Sequence, residues 1–149
     1  MLFAYFRRRK LTKIFELSSA TIVRMQFVMA QHTPSHHIDD QWILGYVYGA
    51  CTAVLERMGI DPSPEAYELL KSGYASIFGE TRLGEKVLSN SMKLRSNILF
   101  VEAQDIGGNE IRSASPSSPI PFSLGAYLGE NKSEEIKEQL RRRWSKAHT

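Results

Sequence analysis

A single cysteine, Cys51, stands in the 149 residues of this chain. One thiol cannot close an internal disulfide, so a disulfide-stapled scaffold is excluded and nothing argues for an oxidising compartment. Cys51 falls in an apolar helical stretch, where a small buried residue is expected rather than a reactive nucleophile. Long hydrophobic runs are missing too. The longest, Ile43 to Leu55, is shorter than the ~20 residues of a bilayer-spanning helix and contains Gly45 and Gly49. Met1 to Phe6 is apolar, but Arg7, Arg8, Arg9 and Lys10 follow it, which reverses the charge-first order of a secretory signal. The expectation is a cytoplasmic protein with no transmembrane segment.

The signatures of common chemistries are equally scarce. No G-x-S-x-G elbow surrounds any serine. Gly107-Gly108-Asn109 lacks the lysine and the strand–helix setting of a phosphate loop, and it reads as a helix end followed by a turn. Lys and Arg number 19 against 16 Asp and Glu, a formal charge of +3 that is too mild to indicate nucleic acid. A hydrophobic fraction of 42% with 23% charged residues is that of an ordinary globular chain, which excludes wholesale disorder.

Helix signals are what the chain does contain. Leu11, Ile14, Phe15, Ile22, Met25, Val28 and Met29 recur at spacings of three and four, predicting one apolar stripe on a first helix over Lys10 to Gln31. Ser18, Ser19 and Thr21 interrupt that stripe, which points to a kink or a close contact. A second helix is capped by Asp39 or Asp40 and closed by Gly59, with Ile60 as the apolar contact beyond. Ser63 and Pro64 suit the cap and first turn of a third helix that Gly79 ends. A fourth helix is expected from Thr81 to Gln104, with Ile98 to Val101 as the one run that also fits a strand.

Three prolines in residues 113–121 then read as a linker. A short apolar patch, Phe122 to Leu128, follows it. A basic amphipathic helix over 133–149 carries Ile136, Leu140 and Trp144 on a narrow stripe. The fold class is therefore all-α: an irregular four-helix bundle-like domain over residues 1–108, a linker over 109–132, and an additional C-terminal helix packed on the same domain.

Three surfaces are candidates for function. His32, His36, His37 and Asp40 place imidazoles and a carboxylate in one short stretch, the donor types that zinc, nickel or iron accept. Their spacing matches no established motif, and the same residues suit an exposed polar connector. No other cofactor is implied. Gly45, Gly49 and Ala53 recur every four residues on one side of the second helix. Glycine in a helix costs about 1 kcal/mol relative to alanine, and close approach of another backbone would offset that. The approaching backbone belongs either to the same chain or to a second copy. Finally, Arg7, Arg8, Arg9 and Lys10 follow four large apolar residues, and Arg141, Arg142 and Arg143 precede Trp144. Both clusters suit contact with an anionic surface, by peripheral membrane attachment or at phosphates. With helix signals abundant and catalytic ones absent, the leading reading is a non-catalytic helical interaction module. Its expected partner is itself, and its contacts come from the first helix or the small-residue face of the second. A metal-binding protein or metal-dependent enzyme is the alternative.

Overall fold

In the computed structural model, which describes residues 2–114, 121–129 and 141–143, every regular element is helical. The expected all-α class holds, and no strand occurs among the described residues. The first helix begins earlier than its apolar stripe predicts, as α1 (Leu2–Phe15). It passes through a wider π turn (Glu16–Ala20) into α2 (Thr21–Met29), so the serine-rich interruption is where the helix changes its winding. A short 3-10 turn (Pro34–His37) leads to α3 (Gln41–Arg57). The remaining helices are α4 (Pro64–Phe78), α5 (Thr81–Lys93), α6 (Ile98–Ser113) and α7 (Ser123–Leu128).

Local chemistry explains most of these boundaries. The Asp40 carboxylate accepts from the Ile43 amide at 3.0 Å and starts α3. At the other end, the Ile60 amide reaches the Leu55 carbonyl and the Gly59 amide reaches Glu56, each at 3.0 Å. With Gly59 at φ 73°, this is the Schellman closure that a glycine after Met58 announces. Ser63 accepts from Ala66 at 3.1 Å at the start of α4. One boundary differs from the periodicity. The helix expected over Thr81 to Gln104 is two helices, because the Asn97 side chain accepts from the Phe100 amide at 3.1 Å and starts α6 afresh. Gly107 and Gly108 consequently lie inside α6 and do not end a helix. The helical core also continues past residue 108, through Ser113, and the apolar patch after the prolines folds as α7 onto that core. The helix expected over 133–149 falls outside the described residues except at 141–143.

The pair α3 and α6 forms the centre. They run in the same direction, with Gly45 against Phe100, Gly49 against Gln104, and Gly107 against Tyr46. A β-carbon on any of the three would run into a backbone carbonyl of the facing helix. Arg112 clasps Glu56 at 3.0 and 3.3 Å, and Arg57 donates to the Ile111 carbonyl at 2.9 Å, tying the two C-terminal ends. Around this pair, α4 and α5 form a hairpin, and Phe15, Val23 and Phe27 from the α1–α2 arm close the core.

The small-residue face of α3 is thus occupied by α6 of the same chain. Gly45, Gly49 and Ala53 are all buried, which corrects the expectation that they face a second copy. Gly49→Ala is expected to destabilise the protein by about 1–3 kcal/mol through overpacking. Intrinsic propensity alone predicts a gain of about 1 kcal/mol. Urea unfolding decides between them, and a more stable variant would mean that α3 and α6 separate without cost.

Candidate functional site

The π turn decides which side chains of the arm face water. Its five residues carry one more than an α-helical turn allows, which rotates everything beyond it by about 100°. Leu11 and Phe15 lie toward the body before the turn, and a continuous α-helix would bring Ile22, Met25 and Met29 in after them. Instead Ser19, Ala20, Val23, Gln26 and Phe27 are buried. Ser19 donates to the Phe15 carbonyl at 2.6 Å within the turn. Met25 and Met29 move outward together with Val28, and Leu17, Val28 and Met29 are 68%, 71% and 78% exposed. The single apolar stripe read from the sequence is therefore two faces, one in the core and one on the surface.

Beside the outer face lies a groove of about 550 Å³ between α2 and α7. Met25, Met29 and Phe122 supply its apolar walls, and Gly125, Ala126 and Gly129 keep the α7 side low. A polar bridge under α7 holds the groove open. Glu110 on α6 accepts from the Ser123 amide at 3.2 Å and the Ser123 hydroxyl at 2.6 Å, and from the Tyr46 hydroxyl at 2.6 Å. Gln26 donates to the Tyr46 oxygen at 3.1 Å and accepts from the Gly125 amide at 2.9 Å. Burial, reinforced by the Glu110 carboxylate, pushes the Tyr46 phenol well above its ordinary pKa, so it remains a donor. Sequence reading missed this bridge. Its one visible signal is Gln26, a polar residue that falls among apolar ones on the helix.

The metal constellation is not assembled. His32 Nδ1 and His37 Nε2 lie 2.9 Å apart, and His36 is exposed. Asp40 spends one oxygen on capping α3 and the other on the Tyr127 hydroxyl at 2.8 Å. No group of three or more such ligands comes together among the described residues, which corrects the expected four-ligand cluster. The reason is local: the carboxylate is worth more to a helix start than to a loop of imidazoles. Cys51 is buried, and that burial pushes its thiol up to about 12, so it stays protonated.

The two basic clusters are placed differently. Arg7, Arg9 and Lys10 are exposed on α1, and Arg8 lies 4.0 Å from Glu68. Arg141 donates to Glu102 at 3.2 Å, and the Arg143 guanidinium lies 5.5 Å above the Phe122 ring at the groove's edge. Arg142 takes part in a contact as well. Trp144 lies outside the described residues.

His37 is expected to make the connector acid-sensitive. Burial lowers its pKa first, then the neighbouring His32 and His36, against an opposing pull from Asp40. The folded chain therefore binds this proton less readily than the unfolded chain. The stabilisation is complete above the ordinary imidazole value of about 6.5 and is lost as pH falls through that value toward the folded one. Urea midpoints of His37→Asn should fall less on acidification than those of the parent, and identical pH profiles would refute the assignment. Compared with family models, with curated proteins and with solved structures, the chain matches none.

Proposed function

We propose that this chain is a non-catalytic helical interaction module that associates with a second copy of itself through the outer face of its α1–α2 arm. The observation that carries this reading is the distribution of exposed apolar side chains. Of thirteen large ones exposed among the described residues, nine lie between Leu2 and Met29. Within that set, Leu17, Met25 and Val28 line one groove, and Met25 and Met29 line the adjoining α2–α7 groove and reach Phe122.

These five side chains present on the order of 600 Å² of apolar surface, the upper end of what a monomer exposes and most of the ~800 Å² per partner of a stable interface. A protruding Met25–Val28–Met29 ridge beside a groove floored by Gly125, Ala126 and Gly129 is self-complementary. A two-fold axis sets each copy's ridge against the other's groove, and such an interface closes without forming fibres. Methionine suits the role because its flexible thioether fills irregular space. A lone, protected thiol suits the cytoplasm. Among the described residues no helix is long and apolar enough to cross a membrane. The metal reading finds no support in the placement of His32, His36, His37 and Asp40.

Sedimentation velocity tests the proposal. The parent should show a concentration-dependent dimer, and Val28→Asp with Met29→Asp should remain monomeric. Both positions are exposed, so thermal stability should change by no more than about 0.5 kcal/mol per site. A parent that sediments as a monomer at every concentration overturns the reading, and so does a double variant that still dimerises.

A further inference from the structure

The first three turns of α1 have a different outer side from α2. Every residue from Leu2 to Lys10 is exposed. Ala4, Arg7 and Arg8 lie toward the start of α4, beside Pro64, Glu65 and Glu68, which fixes the inner side of the helix. At 100° per residue, the outer half then carries Leu2, Phe3, Tyr5 and Phe6, followed by Arg9, Lys10 and Lys13. Apolar and basic residues are segregated along the axis, not around it. Leu2, Phe3, Tyr5 and Phe6 are 72%, 84%, 59% and 56% exposed, and α1 contains no carboxylate at all.

From this arrangement we infer that α1 attaches the protein to an anionic phospholipid surface, entering obliquely at its Leu2–Phe6 end. This surface is separate from the α2 face and groove, and the inference does not rest on self-association. Leu2 to Phe6 rises about 6 Å, within the ~5–10 Å depth at which interfacial helices bury their apolar residues. Arg9, Lys10 and Lys13 then stand at the height of the lipid phosphates. Their long stems lie along the boundary while the charges stay hydrated. Tyr5, with an apolar ring and a polar tip, belongs at the same boundary. Charge complementarity selects the lipid class: these cations gain attraction only from a negative leaflet. A nucleic acid would neutralise the cations and leave Leu2 and Phe6 in water. A second copy of α1 would set cations against cations.

Co-sedimentation of the full chain with vesicles of phosphatidylglycerol and phosphatidylcholine, against pure phosphatidylcholine vesicles, tests the inference. Binding should require the anionic lipid and weaken as salt rises. Arg9→Glu, Lys10→Glu and Lys13→Glu together should lower partitioning on the order of a hundredfold, at about fivefold per cation. Arg8 is left in place because of its contact with Glu68. Phe3→Ser with Phe6→Ser should also release the protein, with an unchanged circular dichroism spectrum as the folding control. Equal binding to neutral vesicles, or full binding by the triple variant, overturns the inference. So does a loss of dimer in the Phe3/Phe6 variant in the absence of lipid, which would assign the segment to protein contact instead.

Discussion

The close approach of α3 and α6 is the constraint on which the rest of the molecule depends. Helices come this near only where β-carbons are missing, and Gly45, Gly49 and Gly107 leave them out at the three points where backbone meets backbone. Each glycine weakens its own helix, and the packing of Tyr46, Phe100 and Ala103 between the two helices offsets the loss. Parallel helices also need a crossover to connect them, and the α4–α5 hairpin is that crossover. The α1–α2 arm packs along α4 of that hairpin, with Phe15 over Gly73 and Arg8 near Glu68, and α7 lies against α2.

Tyr46 transmits this geometry outward. Its ring is stacked on Trp42, which stacks in turn on Tyr127 at 4.3 Å. Its hydroxyl is fixed between Gln26 and Glu110, one on the arm and the other on α6. A six-residue helix such as α7 has no stability of its own in water. It exists here because Glu110 and Gln26 satisfy amides at its start, and because Tyr127 reaches Asp40 at its far end. The groove beside Met25 and Met29 is therefore a product of buried polar chemistry. Apolar contact alone would let α7 slide; directed hydrogen bonds to α2, to α6 and to the residue that caps α3 do not.

Helix number and type were largely legible because caps are local chemistry: Asp40, Ser63 and Gly59 act on amides within a few residues of themselves. Asn97 was equally local, yet the apolar period ran straight across it from Leu94 to Ile98 and masked the break. Gly107 and Gly108 were misread as a helix end because glycine carries two meanings. It closes a helix where φ is positive and admits a neighbour where it is not, and only the neighbour distinguishes them. The Gly45–Gly49 spacing gave the close approach correctly but not the identity of the approaching helix. His32, His36, His37 and Asp40 show the opposite failure. They are adjacent in sequence, but ligand geometry is three-dimensional, and the capping demand of α3 drew Asp40 away.

The outer face of the arm raises a question that packing alone does not answer: why Met25, Val28 and Met29 are apolar at all. The π turn supplies part of the reason. Had the arm been one continuous α-helix, the stripe beginning at Leu11 and Phe15 would have run on through Ile22, Met25 and Met29. Val23 and Phe27 would then have faced outward. The sequence instead carries apolar residues for both registers, and the turn commits Val23 and Phe27 to the core. The residues left outside adjoin one another, and a continuous apolar strip is less ordinary than scattered exposure of single apolar side chains. A chain that needed only to fold gains little from apolar residues at Leu17, Val28 and Met29, which are exposed. A wide turn that turns a surplus apolar strip to the surface makes physical sense when that strip has something to bind.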